Sequence, residues 1–234
     1  MNLEAVKYQV WVIMMVALFT SNAVAQQVWT GNEGVSIGIR AGFDLQNITG
    51  NNQEGNDAGN QLMPAYNAGL IIELPLTRYF YLQSGLLYNT KGAERERPFI
   101  GPETSSVRTS YLELPINFLF KPILGNGNLM IGFGSYAAIG TGGEAEYETG
   151  GRTEIRQVKF QNTVEPSDPE DVVYFRPYDA GANFLAGYEF RNRVSLQLNA
   201  QFGLIEINPE REDVPNDESA LRNTGFGVSL GFRF

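Results

Sequence analysis

The sequence contains neither cysteine nor histidine among its 234 residues. Without cysteine, an exported chain of this length has to be held together by hydrogen bonds and packing alone. Without histidine, it lacks the commonest general base, the commonest metal ligand and the usual switch near neutral pH. Both absences disfavour conventional catalytic and metal-dependent functions, and no cofactor is expected.

Positive charge is also scarce, because 17 Lys and Arg face 26 Asp and Glu, for a net charge of −9. Nucleic acid is therefore not an expected partner, since phosphate binding requires basic patches. Four long stretches between the apolar segments, 48–63, 92–108, 142–177 and 207–220, carry net charges of −2, 0, −4 and −4, so that the excess acid falls in three of them. Acidic stretches of this kind are typical of solvated loops, with divalent-cation binding as the alternative.

Long apolar runs are missing, since none reaches the ~20 residues that a membrane-spanning helix needs. The longest run, Val10 to Phe19, follows Lys7 and precedes the small residues of Ala23-Val24-Ala25. This pattern predicts a signal peptide over residues 1–25, with a permanent N-terminal anchor as the alternative. Residues 26–33 would then form a short lead and residues 34–234 the folded domain. Such a domain can occupy a membrane only as a closed barrel.

Apolar residues recur at every second position after Gly34, which is the period of a β-strand. The pattern covers eight segments: 35–45, 68–76, 80–88, 112–120, 129–139, 182–190, 194–204 and 226–234. Short turns near Arg78, Asn126 and Asn192 alternate with the four long stretches, as in outer-membrane barrels. The sequence therefore predicts an all-β fold, an eight-stranded antiparallel up-and-down transmembrane β-barrel of the bacterial outer membrane. Its short turns would be periplasmic and its long loops extracellular.

Three observations predict that the apolar face points outward into lipid. The opposite face is rich in Gly, Asn, Gln and Ser, which suit a crowded interior. The apolar face carries its aromatic residues near the strand ends, as two girdles require. The reverse arrangement would place charged residues such as Arg40 in lipid, at ~2–4 kcal/mol for an arginine near the midplane. The predicted girdle residues are Phe43, Tyr66, Tyr88, Tyr178 and Phe202 at one end and Phe80, Phe118, Phe120, Tyr188, Phe190, Phe232 and Phe234 at the other.

The inward face would then carry charges of both signs in a narrow, low-dielectric lumen, where each charge needs a partner. We expect Arg40 to pair with Glu73 or Glu113, and Glu189 or Asp44 to pair with Arg191 or Arg233. Such a network would fill the lumen and make it structural. Its predicted members are Arg40, Asp44, Glu73, Glu113, Asn117, Lys121, Glu189, Arg191 and Arg233.

Glu-Leu-Pro occurs twice, at Glu73 and at Glu113, and a proline inside a strand indicates a local bend. The second copy extends to Tyr111-Leu112-Glu113-Leu114-Pro115, which resembles the Tyr-Leu-Glu-Ile/Leu-Pro segment of PorT-like, porin-family outer-membrane barrels. Gly85-Leu86-Leu87-Tyr88, near Lys91-Gly92, is also similar. The resemblance extends from about Gly34 to Phe234 and implies an outer-membrane barrel of a functionally mixed family, whose namesake serves a protein-secretion system.

No catalytic constellation stands out, so a non-enzymatic barrel is expected, with a binding or structural role or as an accessory to an envelope or protein-secretion machine. The alternatives are a small diffusion porin or transport channel and a histidine-free outer-membrane enzyme. Eight strands leave an interior that side chains just fill, which disfavours the porin. The expected partners are the lipid bilayer, envelope or secretion proteins, and the barrel-assembly machinery, which would read the final strand ending at Phe234.

Overall fold

The structure is a computed structural model that describes residues 34–96, 104–149, 151–211 and 217–234. The predicted signal peptide, 1–25, and the lead, 26–33, lie outside the described residues. Among the described residues, no helix is both long enough and apolar enough to cross a membrane. The strands are β1 (Ser36–Asn51), β2 (Met63–Pro75), β3 (Phe80–Glu96), β4 (Thr104–Phe120), β5 (Ile123–Leu124), β6 (Gly127–Thr149), β7 (Arg152–Phe160), β8 (Thr163–Val164), β9 (Val173–Phe175), β10 (Tyr178–Phe190), β11 (Val194–Gly203), β12 (Glu210–Arg211) and β13 (Ala220–Arg233).

Eight long strands form a closed antiparallel ring in the order β1, β2, β3, β4, β6, β10, β11, β13. The ring closes because β1 pairs on one side with β2 and on the other with β13, so that Ile39 lies between Leu70 and Phe232. The predicted eight-stranded antiparallel barrel is confirmed. Each predicted alternating segment lies within, or overlaps, one strand of this ring.

The two faces of the ring differ as the alternation predicts. On β1, Ile37, Ile39 and Phe43 are about half exposed on the outside, whereas Arg40 and Asp44 are buried inside. Aromatic rings pair across neighbouring strands on the outer face. Phe80 and Phe120 lie 5.1 Å apart between ring centroids at the short-turn rim, and Tyr66 and Tyr88 lie 6.4 Å apart towards the long-loop rim. The outer surface is therefore a continuous apolar belt.

Two of the predicted long loops are largely strand. β3 and β4 stay paired as far as Glu96 and Thr104, so most of 92–108 is hairpin. β6 continues to Thr149 and turns back into β7, which pairs with β6 and then, in parallel, with β9. The alternation persists here, because Ala145 is buried while its neighbours Glu144 and Glu146 are exposed. The outward face meets water above the belt, which is why these acidic strands resemble loops in sequence.

The long-loop end of the lumen is covered by an apolar cluster, which we call the lid. Its buried members are Ile48 on β1, Ala93 on β3, Val158 on β7, Phe175 on β9 and Ile207 in the segment after β11. The β7–β9 segment therefore folds back over the barrel mouth instead of extending away from it. The polar lumen begins beneath the lid.

Candidate functional site

The upper part of the lumen contains a buried ion cluster, here called the Lys91 cluster, made of Lys91, Glu113 and Asp179. The Lys91 Nζ lies 2.9 Å from Asp179 Oδ2 and 3.1 Å from Glu113 Oε2, and the three side chains are at most 1% exposed. The same Nζ lies 3.9 Å from the centroid of the Tyr136 ring, a cation–π distance. A lysine is thus held between two carboxylates and an aromatic face.

Neutral donors complete the coordination of these two carboxylates. Asn223 Nδ2 donates to Asp179 Oδ2 at 2.9 Å, and the Tyr136 hydroxyl donates to the same carboxylate at 3.2 Å. Gln201 Nε2 donates to Glu113 Oε1 at 2.6 Å, and Asn89 Nδ2 donates to Glu113 Oε2 at 3.1 Å. Buried carboxylates need such partners because an incompletely solvated charge in a low-dielectric interior is costly.

A second ion cluster, here called the Lys121 cluster, lies at the short-turn end of the lumen. Lys121 Nζ lies 2.9 Å from Glu73 Oε2 and 2.8 Å from Glu189 Oε2. Arg233 Nη2 reaches the other oxygen of Glu189 at 2.8 Å. Two cations and two carboxylates balance, and Gln83 Nε2 donates to Glu73 at 2.9 Å. These contacts join β2, β3, β10 and β13 with Lys121, which directly follows β4, across the lumen.

Polar side chains and a small cavity fill the space between the two clusters. Asn67 Nδ2 donates to Asp44 Oδ2 at 2.6 Å. The cavity has a volume of about 30 Å³ and is lined by Arg40, Asp44 and amide side chains. This volume holds one or two water molecules. The Arg40 Nε has no hydrogen-bond partner among the described residues, and bound water would supply one.

The structure brings eight of the nine predicted network residues into the lumen, and it differs from two of the predictions. Arg191 is wrong as a lumen residue, because it lies exposed in the turn after β10. The predicted ion pair of Arg40 with Glu73 or Glu113 is also wrong, because Glu113 pairs with Lys91 and Glu73 pairs with Lys121. The positions of the nine residues are as follows: Arg40, Asp44, Glu73, Glu113, Asn117, Lys121 and Glu189 are buried in the lumen, Arg233 is half-buried at its short-turn end, and Arg191 is exposed.

Sequence reasoning missed Lys91 and Asp179, which were assigned to the borders of long loops. A signal was available, because Asn89 and Lys91 extend the inward parity of Leu87, and Asp179 shares the parity of Glu189. The alternating pattern is harder to detect there, because the outward-facing residues above the belt are no longer apolar. In this barrel the lumen extends further than the lipid-facing belt.

A more open site, here called the mouth pocket, lies on the outer side of the lid. Two adjoining cavities of about 640 and 400 Å³ share six lining residues. The shared lining residues are Asn52, Arg95, Tyr147, Val173, Phe175 and Leu221. The pocket therefore combines an apolar floor with polar walls.

The wall of the mouth pocket carries an ordered cation. Arg156 donates from Nε to Glu154 at 2.6 Å, and its guanidinium carbon lies 5.0 Å from the centroid of the Tyr147 ring. The hydrogen bond to Glu154 raises the pKa of Arg156 above its ordinary value. Glu54 and Glu170 line the same cavity. Within the described part of the chain, no group of three or more acidic side chains is placed to hold a metal ion.

Residues 24–208 match the family described as outer membrane protein beta-barrel domain, which is most of the chain. The chain belongs to this family. In an outer-membrane barrel, the short turns face the periplasm and the long loops face the cell exterior. The predicted outer-membrane location is confirmed, and the mouth pocket accordingly opens to the outside of the cell.

Solved structures of other outer-membrane barrels are similar to this family member. The Ail attachment invasion locus protein of Yersinia pestis is 12% identical, with a TM-score of 0.37, and the match covers 86% of this chain and all of that one. The neisserial surface protein A is 9% identical, with a TM-score of 0.43 and coverage of 86% and 100%. OprG of Pseudomonas aeruginosa is 8% identical, with a TM-score of 0.43 and coverage of 86% and 97%. No curated protein matches the chain significantly in sequence.

Proposed function

We propose that this outer-membrane barrel is a non-enzymatic binding protein of the cell surface. The barrel acts as a closed anchor and the mouth pocket as the binding site. The observation that carries the proposal is the contrast between the filled lumen beneath the lid and the open pocket above it. The lumen is filled by the Lys91 and Lys121 clusters and covered by the lid, whereas about 640 Å³ of open space lies outside the lid.

The lining of the mouth pocket supports a protein segment as its ligand. Phe175 and Leu221 contribute to an apolar floor, and Tyr147 and Arg156 stack in the wall. Tyrosine, phenylalanine and arginine are the side chains enriched in protein–protein interfaces. The pocket is too mixed in character for a purely apolar ligand, and a peptide backbone with alternating side chains suits it best.

A non-catalytic role is supported by the state of the lumen carboxylates. Glu73, Glu113, Asp179 and Glu189 each contact a lysine at hydrogen-bond distance. A carboxylate engaged in this way has little access to a substrate, because its oxygens already accept hydrogen bonds and the side chain is buried in a filled lumen. The same filled lumen supports a closed barrel over the diffusion porin, and no cofactor is part of the proposal.

The PorT-like alternative, an accessory of a secretion machine, rests on the motif from Tyr111 to Pro115. Tyr111 and Pro115 face the interior, and Glu113 belongs to the Lys91 cluster. Leu112 and Leu114 face lipid. The motif thus has a sufficient role in building the barrel wall. A secretion partner would have to bind elsewhere, for example at the periplasmic turns, and the assembly machinery at the final strand.

Site-specific photocrosslinking on intact cells tests the surface-binding proposal and separates it from the secretion alternative. A photocrosslinking amino acid replaces Tyr147 in the mouth pocket, exposed Ile155 on β7 outside it, or exposed Ile123 on the short strand β5 at the periplasmic rim. We expect a discrete protein adduct from position 147 and none from position 155. Adducts from position 123 alone would contradict surface binding and favour an accessory of a periplasmic machine.

A further inference from the structure

A second open pocket, here called the exterior pocket, lies on the outer wall of the barrel, where it shares Ser106 with the lining of the mouth pocket and no residue with the lumen cavity. It has a volume of about 510 Å³. It is lined by Tyr88, Ser106, Arg108, Ser110, Thr141, Gly142, Gly143, Glu144 and Glu146. These residues belong to the upper halves of β3, β4 and β6.

The exterior pocket begins at the upper edge of the apolar belt. Tyr88 lies in the upper aromatic girdle beside Tyr66, and its hydroxyl is 2.7 Å from Ser110 Oγ, the first polar group above it. From Ser110 the pocket follows β4 to Ser106, four residues further from the membrane, or roughly 13 Å at the usual rise of a strand. Interfacial layers add only a few ångströms on each side of the hydrocarbon core, which is about 30 Å thick. The pocket therefore spans the headgroup layer of the outer leaflet.

Local backbone geometry creates the recess. The register between β4 and β6 shifts at Ser110/Tyr111, which leaves Thr141 as an extra residue in a bulge. The next residue is Gly142, where a Cβ would meet no atom within 4 Å, so the space in front of it is open. Thr141 Oγ1 donates to the Ser110 carbonyl oxygen at 3.0 Å and holds the bulge in place. The Gly140-Thr141-Gly142-Gly143 run, which resembles a simple strand end in sequence, thus shapes a cavity.

The exterior pocket is lined by one guanidinium group, two carboxylates and several hydroxyl groups. Arg108 is exposed and lies opposite Glu144 across the two strands, yet it makes no ion pair with any residue in the described part of the chain. A guanidinium fork matches a phosphate in two hydrogen bonds. The carboxylates of Glu144 and Glu146 accept hydrogen bonds from sugar hydroxyls, and the hydroxyls of Tyr88 and Ser110 line the membrane side.

We propose that the exterior pocket binds the phosphorylated sugar headgroup of an outer-leaflet glycolipid, with Arg108 on a phosphate and Glu144 and Glu146 on sugar hydroxyls. Its acyl chains would lie along the apolar belt below Tyr88. The two carboxylates favour a glycolipid over a phospholipid with a small zwitterionic headgroup, because the several hydroxyls of a sugar can donate to both of them. This proposal does not depend on the proposed ligand of the mouth pocket, and either proposal can be wrong without affecting the other.

Lipid titration by native mass spectrometry of the delipidated protein in detergent tests the proposal. The probe is a diphosphorylated glucosamine-disaccharide glycolipid, compared with its dephosphorylated form and with phosphatidylethanolamine. We expect one tightly bound glycolipid on the parent protein. Arg108→Ala should weaken binding at least about tenfold, as the loss of a charge-assisted contact implies. Arg152→Ala, which removes the same charge from exposed β7, is the matched control and should bind as the parent does.

Four further measurements support or overturn the assignment of the exterior pocket as a glycolipid site. Dephosphorylation should lower the affinity of the parent protein to that of Arg108→Ala with the intact lipid. Faster migration of unboiled samples on a gel verifies that each variant is folded. Equal binding by the Arg108 and Arg152 variants would overturn the assignment. Equal affinity for phosphatidylethanolamine, or displacement by millimolar inorganic phosphate, would show a general anion or phospholipid site and would likewise overturn it.

Discussion

Lys91 is the residue that ties the largest number of strands together inside the barrel. Its cluster joins Lys91 on β3, Glu113 on β4 and Asp179 on β10, and the donors Tyr136, Gln201 and Asn223 add β6, β11 and β13. One lysine and two carboxylates leave one net negative charge. The amide and hydroxyl donors stabilise this charge, and the cluster therefore depends on all of its neutral partners as well.

Replacement of Glu113 tests the energetic importance of this cluster. Glu113→Ala should lower the free energy of unfolding by about 3–5 kcal/mol, because it removes one member of a buried ion pair and leaves Gln201 and Asn89 without their acceptor. Glu113→Gln, which keeps the shape and one acceptor oxygen, should cost less. Urea titration with the folded fraction read from gel mobility measures both.

Exposed Glu146, on the outer face of β6, supplies the control for this series. Glu146→Ala should change stability by no more than about 0.5 kcal/mol, as is usual for exposed positions. If Glu113→Ala were as stable as Glu146→Ala, the lumen cluster would contribute nothing to the barrel, and the structural reading of the lumen would fail.

Which side chains face the lumen could be predicted from parity alone, because one-residue steps along a strand alternate between the two faces. Which of them pair could not, since partners across a barrel depend on the stagger of strands that are distant in sequence. Glu113 accordingly pairs with Lys91 and not with Arg40. Arg191 fits the parity but lies past the last residue of β10, where parity no longer determines direction.

At the scale of single strands, the outward face of β2 defines the lipid contact. Leu70 is 55% exposed and lies between Ile39 and Leu86 on the neighbouring strands, within the aliphatic part of the belt. Leu70→Arg should destabilise the barrel in a bilayer by about 2–4 kcal/mol, the cost of an arginine near the midplane. Urea-induced unfolding from lipid vesicles measures this.

Ile155 on β7 provides a matched control, because it is 61% exposed but lies above the belt. Ile155→Arg should be neutral, since that outer face meets water. Equal effects of arginine at positions 70 and 155 would show that exposure alone sets the cost, which contradicts the placement of the membrane around the belt.

The lid packs the segment from β7 to β9, which the sequence predicts as a loop, against the barrel mouth. Phe175 on β9 is buried against Ile48 and Val158. Truncation of a buried phenylalanine costs about 3–5 kcal/mol. Phe175→Ala should therefore open the lid, and external protease should cleave residues 161–172 on intact cells at least about tenfold faster, with the barrel still heat-modifiable. Ile155→Ala, on the exposed face, should leave the rate unchanged.

The same protease experiment also tests the orientation of the barrel in the membrane. Cleavage confined to the turn near Asn126 would mean that the barrel is oriented the opposite way.

The ring strands could be predicted in number and order from their alternation, but the elements above the belt could not. On the face of β7 that carries Val158 and Phe160, Arg152 and Glu154 are exposed and Arg156 is partly buried, and the opposite face is exposed with Ile155 as its one apolar residue. Such a strand lacks the outward apolar residues that identify the others. The parallel pairing of β7 with β9 joins residues separated by a turn-rich segment, and no local period reveals it.

Viewed as a whole molecule, the barrel is polar inside and closed along its length. The Lys121 cluster occupies the periplasmic end, the Lys91 cluster occupies the upper lumen, and the lid covers the extracellular end. The cavity between the clusters has a volume of only about 30 Å³. An eight-stranded barrel is just wide enough for its side chains to fill. We therefore expect the lumen to exclude hydrated ions, and the open pockets lie on the exterior.

The closed lumen is the central claim, and planar-bilayer recording of the purified protein tests it most directly. We predict no steady ionic current above the bare bilayer, because the Lys91 cluster, the Lys121 cluster and the lid block the path in series. Insertion is verified in the same sample by heat-modifiable migration after extraction. A steady, ion-selective conductance through the wild-type barrel would contradict the account and would favour a diffusion channel.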